Sequence, residues 1–316
     1  MHCAPAGLPD NGYVKKHIYI YSPSGAVRDK AAFKRGVQRL RGLGHEVEID
    51  VNALSSHLRF AGDDETRLAA IQRACASGAD VALISRGGYG LTRILDRIHF
   101  KSVAKAIEKG TQFVGISDFT AFQLGLLAKT GSITWAGPAL CEGFGALPAP
   151  DEIMEDCFND FLVEQGEGAG WRQPADSNPD IKVRNAVLWG GNLSLVSALV
   201  GTAFFPDVKG GILFLEDVGE HPYRVERLLT HLLHAGVLAK QKAIVLGQFT
   251  EFKLTPHDRG YKLATVIQWL RSQLKVPVLT NLPYGHVQTK VMLPVGAKVD
   301  LVTEGRDALC LWGHQD

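Results

Sequence analysis

Short apolar runs alternate with segments of helical periodicity through the first half of the chain, and such an alternation specifies a parallel sheet with helices on both faces. His17 to Tyr21 is a predicted strand ending at Ser22-Pro-Ser-Gly25, and the segment after it puts Phe33, Val37 and Leu40 on one helical face. His45 to Val51 alternates polar with apolar residues, as a half-buried edge strand does. Asp63 and Asp64 supply acidic caps for a predicted helix with Leu68, Ile71 and Cys75 as its buried stripe, and Val81 to Ile84 is a continuous apolar strand. The pattern recurs at Phe113 to Ile116, followed by helical spacing through Phe119, Phe122 and Leu126, with Ser132 to Ala136 as the next strand.

In an open parallel sheet, ligands bind beyond the carboxyl ends of the strands. Two corners of this chain fall there. Ser117-Asp118 stands between the strand ending at Ile116 and the helix beginning at Phe119. A serine at such a corner is lifted out of the sheet, and the helix behind it presents backbone N–H groups and the positive end of its dipole. An acyl-transfer nucleophile needs those donors for its developing oxyanion. Serine and aspartate also begin helices purely as caps, and the corner alone admits both readings. The second corner is Ser85-Arg-Gly-Gly-Tyr-Gly90, ahead of a helical pattern at Leu91, Ile94, Leu95 and Ile98. Its glycines permit close backbone approach and N–H donation to an anion. No Gly-Lys-Ser/Thr follows and the full Gly-x-Gly-x-x-Gly is missing, so neither a P-loop nor a dinucleotide fingerprint is present. A plain glycine-rich turn is the other reading.

From Gly143 to about Asp180 the periodicity fades into a Pro-rich stretch, a short helix over Ile153 to Phe161, and a tract rich in Gly, Pro, Asn and Asp. This reads as an interdomain connection. The chain accordingly divides into an N-terminal α/β domain (residues 1–145), a connection (146–180) and a C-terminal domain (181–316). The second half is more mixed. Lys182 to Leu188 is a predicted strand followed by Trp189-Gly-Gly-Asn192, Leu193 to Val200 a buried helix, and Gly211 to Asp217 an apolar strand ending in two carboxylates. Val225, Leu228, Leu229, Leu232 and Leu233 mark an amphipathic helix, and Ala243 to Leu246 and Val276 to Leu279 are further strands. The C-terminus turns to hairpin character: Lys290 to Leu293, a Pro-Val-Gly turn, Lys298 to Thr303, another turn, and Ala308 to Trp312.

Composition narrows the classes. The 316 residues carry 34 basic and 33 acidic side chains, a net charge of +1, with no run of like charge that would suit a nucleic acid. No apolar run is long enough to span a membrane. Cys3, Cys75, Cys141, Cys157 and Cys310 are dispersed without a CxxC pair. That usage suits a reducing compartment and points away from a disulfide framework or a structural zinc site; a cytoplasmic location is expected, and no cofactor is expected.

If Ser117 is a nucleophile it needs a base, and the base needs an orienting acceptor. Among eleven histidines, His286 stands apart: it lies in Tyr284-Gly-His-Val287, in a loop after a predicted strand, where catalytic groups are commonly held. His231 and His234 fall on an amphipathic helix, His257 in a polar turn, and His17, His45 and His57 near strand or loop edges. Glu216 and Asp217 close an apolar strand, where an unpaired carboxylate is expensive and an imidazole N–H is a suitable partner. A structural pairing with Lys or Arg is the alternative.

Ser85-Arg-Gly-Gly-Tyr-Gly90, Gly115-Ile-Ser-Asp118, Trp189-Gly-Gly-Asn192, Leu215-Glu-Asp-Val218 and Tyr284-Gly-His286 occur together in this order. Jointly they resemble the LD-carboxypeptidases, the muramoyltetrapeptide carboxypeptidases of bacterial cell-wall recycling, from about Lys16 to Trp312. The resemblance implies a flavodoxin-like N-terminal domain, a smaller C-terminal domain with β-barrel character, and a homodimer without metal in the cytoplasm. It also implies a Ser-Glu-His triad at Ser117, Glu216 and His286, with the nucleophile in one domain and its partners in the other. The backbone N–H groups of Asp118 and Gly88 would form the oxyanion hole, Arg86 would bind the terminal carboxylate of a murein tetrapeptide or else pair with an acidic residue, and Tyr89, Trp189 and Asn192 would line the substrate site. Phe119 replaces the second glycine of the α/β-hydrolase elbow, so that fold is not expected. The related microcin-immunity enzymes, which cut aminoacyl or peptidyl nucleotides, and a catalytically silent murein-peptide binder are the alternatives.

Overall fold

The computed structural model describes residues 14–174 and 180–313. Residues 1–13, with Cys3, residues 175–179 in the tract before Asp180, and residues 314–316 lie outside them. Four strands and their helices follow the expected alternation: β1 (His17–Tyr21), α1 (Lys30–Gly42), β2 (Glu46–Ile49), α2 (Asp64–Ala76), β3 (Val81–Ile84), α3 (Leu91–Ile94), α4 (Phe100–Glu108), β4 (Gln112–Gly115) and α5 (Phe119–Thr130). β5 (Thr134–Ala136) completes a parallel order β2-β1-β3-β4-β5, which is the flavodoxin-like winding. β1, β3 and β4 are apolar on both faces, and alternate residues feed two separate cores. Tyr19, Tyr21, Ala82, Ile84 and Phe113 point to one, while Ile18, Ile20, Val81, Leu83 and Val114 point to the other with Phe33, Val37 and Leu40 of α1. The order reverses between β1 and β3, and the loops leaving those strands are Ser22–Gly25 and Ser85–Gly90.

The second sheet is larger and mixed. After α6 (Glu152–Leu162) it draws on β6 (Gly168–Arg172), β7 (Lys182–Asn192), β8 (Ile212–Val218), β9 (Ala243–Thr250), β10 (Val278–Leu279), β12 (Lys298–Glu304) and β13 (Asp307–Leu311), in the order β10-β9-β8-β7-β12-β13-β6. β7 to β10 run parallel, with α7 (Leu193–Leu199), α8 (Pro222–His234) and α9 (Leu263–Gln273) between them, whereas β12, β13 and β6 are antiparallel. The sheet rolls until its two edges meet: Trp171 Nε1 in β6 donates to Thr280 O at 3.0 Å, and Asn281 Nδ2 to Arg172 O at 2.8 Å. This closure by side chains gives the domain its barrel character.

Three expectations change. The Lys290–Leu293 arm does not pair with Lys298–Thr303. The strand there, β11 (Leu293–Val295), crosses back to the first sheet and pairs antiparallel with β5, where Leu293 and Val295 are buried. Residues 146–180 are more than a connection: α6 covers the first sheet with Met154, Phe158, Phe161 and Leu162, and β6 is the outer strand of the second. Trp189-Gly-Gly-Asn192 continues β7 rather than leaving it. The domains are stitched further by α5. Every residue from Phe119 to Leu126 is buried, and Phe119 and Phe122 share one core with Trp189 and Leu215 of the second sheet. A helix apolar on all sides belongs inside a protein, and here it lies between the two sheets. Its N-terminus is the Ser117 corner.

Candidate active site

Ser117 adopts φ 67°, a left-handed conformation that costs a non-glycine residue on the order of 1–2 kcal/mol. The corner is held by its surroundings. Thr120 and Ala121 N–H donate to Ser117 O and Asp118 O at 2.9 and 3.1 Å, starting α5 directly after the strand. The glycine-rich loop presses on the serine from above: a Cβ on Gly87 would lie 2.6 Å from Ser117 Cβ and 2.8 Å from its Oγ, so only glycine fits. Asp118 does not cap its own helix. Its carboxylate, fully buried, accepts Ser24 Oγ and, at 2.9 Å, Leu91 N–H. One side chain thereby ties together the loops after β1, β3 and β4. Burial pushes its pKa up, against the pull of those hydrogen bonds. Among the described residues neither the Asp118 N–H nor the Gly88 N–H meets an acceptor.

The second sheet brings Glu216 and His286 together. Glu216 lies in β8 with no exposure, and its Oε2 is 2.8 Å from His286 Nδ1. Gly285 makes the approach possible: its φ is +139°, and a Cβ there would meet Glu216 Oε2 at 3.3 Å and Gln248 O at 2.9 Å. Burial disfavours the imidazolium, but the Glu216 hydrogen bond and charge outweigh it, and the His286 pKa is raised above 6.5. Glu216 is in turn fixed by Asn192, whose Nδ2 donates to Glu216 Oε1 at 3.2 Å and to Asp217 Oδ1 at 2.9 Å. Asp217 also accepts the Ser194 N–H and hydroxyl, at 3.0 and 2.7 Å. The two halves meet one helical turn from the serine, where Asn192 N–H donates to Thr120 Oγ1 at 3.0 Å.

The remaining expected residues fare differently. Trp189 is fully buried and its indole N–H is given to Gln241 Oε1 at 3.0 Å, so it packs the core and has nothing left to offer a substrate. Asn192 is also buried, with its amide committed to Glu216, Asp217 and, at 3.2 Å through Oδ1, Leu195 N–H. It holds Glu216 in place, with no amide group left over for a ligand. Tyr89 is half exposed on the glycine loop, 5.9 Å from the Phe60 ring. Arg86 is mostly buried with Nε 3.5 Å from Glu142, so its charge already has a counter-ion. Sequence reasoning missed Gly87, Thr120, Glu142, the carboxylate of Asp118, and Arg67. Buried Arg67 donates to Gly90 O at 2.7 Å and pairs with Asp64 at 2.6 Å, clamping the glycine loop. No periodic or motif signal marks Thr120, Glu142 or Arg67, and the roles of Gly87 and Asp118, though both lie in quoted motifs, exist only through contacts distant in sequence.

Among the described residues no cluster of three or more His, Cys, Asp or Glu side chains is placed to hold a metal ion. No helix among them is long and apolar enough to cross a membrane.

Comparison with known proteins gives the family. Residues 18–137 match the LD-carboxypeptidase N-terminal domain and residues 185–301 the LD-carboxypeptidase C-terminal domain. The crystal structure of muramoyltetrapeptide carboxypeptidase from Oxalobacter formigenes superposes with a TM-score of 0.85 at 39% identity, covering 95% of this chain and 100% of that one. A Bacillus subtilis protein designated a probable murein peptide carboxypeptidase is 27% identical over 274 residues, 85% of this chain and 84% of its own length. The Escherichia coli microcin C7 self-immunity protein is 28% identical over 213 residues, 59% of this chain and 61% of its own. With both family domains present and a solved relative matched over nearly its whole length, the chain belongs to the LD-carboxypeptidase family.

Proposed function

We propose that the protein is a serine LD-carboxypeptidase that removes the terminal D-alanine of murein tetrapeptides by cutting the amide after the L-centre of their third residue. The observation that carries this reading is the 2.8 Å contact between buried Glu216 and half-buried His286, joined through Asn192 and Thr120 to the corner of Ser117. His286 takes the Ser117 hydroxyl proton as the oxygen attacks the scissile carbonyl, and later returns it to the leaving amine. Glu216 fixes the tautomer with the proton on Nδ1 and stabilises the imidazolium. The N–H groups of Asp118 and Gly88 receive the oxyanion, each donor contributing about 2.7 to 4 kcal/mol of barrier lowering. D-Alanine departs, and water releases the tripeptide from the acyl-enzyme by the same proton route in reverse. The positive φ of Ser117 fits such a role, since strained backbone concentrates where side chains are aimed at chemistry. A cytoplasmic homodimer working in cell-wall recycling goes with this reading, as does murein peptide as partner.

The test is mass spectrometry of a murein tetrapeptide, and of its isomer with a D-configured third residue, incubated with the enzyme. Loss of one D-alanine from the L,D substrate alone is expected. Loss from both isomers removes the LD specificity. Likeness to the microcin self-immunity protein supports a second reading, an amide hydrolase acting on aminoacyl or peptidyl nucleotides. Turnover of such a conjugate with no loss from either tetrapeptide selects it.

A further inference from the structure

Four residues beyond His286, Lys290 is only 3% exposed. Its loop is pinned at both ends: Val291 N–H donates to Pro283 O at 2.9 Å, and Thr289 Oγ1 to Asp151 Oδ2 at 2.7 Å. Among the described residues the Lys290 ammonium has neither a hydrogen-bond acceptor nor a carboxylate at ion-pair distance. Three carboxylates are in electrostatic reach, those of Glu142, Glu216 and Asp151, and burial nonetheless pushes its pKa down. Each of the three is committed elsewhere. Glu216 holds His286 and Asn192, Asp151 accepts Met154 N–H and Thr289 Oγ1, and Glu142 faces Arg86. A buried cation without a counter-ion is expensive to maintain. It becomes favourable when an anion arrives from outside.

We propose that Lys290 is the carboxylate anchor of this site, binding the free C-terminal carboxylate of the peptide that loses its last residue. The assignment rests on the serine carboxypeptidase reading and adds how that enzyme measures the chain end. Glu142 and Glu216 act on both Lys290 and His286, which puts the ammonium in the same charged cluster as the base. Arg86, by contrast, already faces Glu142 and reaches toward Ala26 O at 3.5 Å, which leaves Lys290 as the cation with a place for a ligand. A site built around a desolvated ammonium rejects a neutral end group strongly, because the cation is then left unpaired.

The test is calorimetric binding of a D-alanine-terminated murein tetrapeptide and of its C-terminal carboxamide, in a Ser117→Ala background that prevents turnover. The acid is expected to bind on the order of 10- to 100-fold tighter than the amide. Adding Lys290→Met brings the acid down to the level of the amide, Lys290→Arg restores part of the preference, and Arg86→Ala leaves most of it. Lys290→Gln replaces the methionine variant if the latter does not fold, with thermal melting as the check. Retained preference for the acid without Lys290, or equal weakening of acid and amide, overturns the anchor. If wild-type enzyme still releases D-alanine in that case, the serine carboxypeptidase reading stands without it. Absence of release from any tetrapeptide by the wild type removes both.

Discussion

The Ser117 corner and the Glu216–His286 pair are built by different means. The corner is a backbone device. Gly87 presses on the serine, a positive φ turns it outward, and the helix N–H groups stand behind it. The pair is a side-chain device, in which a buried carboxylate is held by an asparagine that also serves a second carboxylate and caps α7. Backbone devices tolerate almost no added volume, because packed neighbours cannot yield. Side-chain devices tolerate volume better but fail when one polar partner is removed, since every remaining group is then left unsatisfied in a low-dielectric interior.

Breaking the second device gives the larger expected effect. Glu216→Gln keeps the shape but loses the charge and the correct tautomer, and kcat/KM is expected to fall about 10³- to 10⁴-fold, measured on the tetrapeptide. Its pH dependence sharpens the comparison. His286 must be neutral to act as base, and its pKa is raised above 6.5 by Glu216 against burial. Activity of the wild type is therefore expected to fall as pH drops through a value above 6.5, and in Glu216→Gln the acid limb moves to lower pH. A limb that stays in place separates Glu216 from the titrating base. Gly87→Ala probes the first device: its Cβ would sit 2.6 Å from Ser117 Cβ. A shift of about 1 Å in the nucleophile costs on the order of 10²-fold in kcat, with the His286 limb unmoved. A Gly87→Ala enzyme of normal rate would show that the corner has room to spare.

The two devices also differ in how far they could be read from sequence. The parallel sheet follows from apolar strands alternating with helical stripes, whereas its winding β2-β1-β3-β4-β5 rests on the resemblance alone; the corner after Ile116 is visible because the period changes there. Ser117, Glu216 and His286 were named from strand-end position and from motifs in a familiar order. Trp189, expected at the substrate, instead packs fully buried in the core with its indole N–H given to Gln241. Asn192 was seen but given the wrong neighbour, since its contact with Glu216 depends on the pairing of β7 with β8. The crossing of β11 to the first sheet had no local signal at all: the hairpin pattern around Pro294 is sound locally, and tertiary burial of Leu293 and Val295 against β5 overrides it.

The central claim is that a nucleophile from one sheet and an acid–base pair from the other act as one catalytic unit. The direct test is a cycle on kcat/KM with wild type, Ser117→Ala, His286→Ala and the double variant, each confirmed to be folded. Residues that act as a unit are grossly non-additive. The account predicts that either single change removes nearly all activity, on the order of 10⁴-fold or more, and that the double variant is no worse than the singles. Losses that multiply in the double variant, or a Ser117→Ala enzyme that keeps most of its activity, would contradict it.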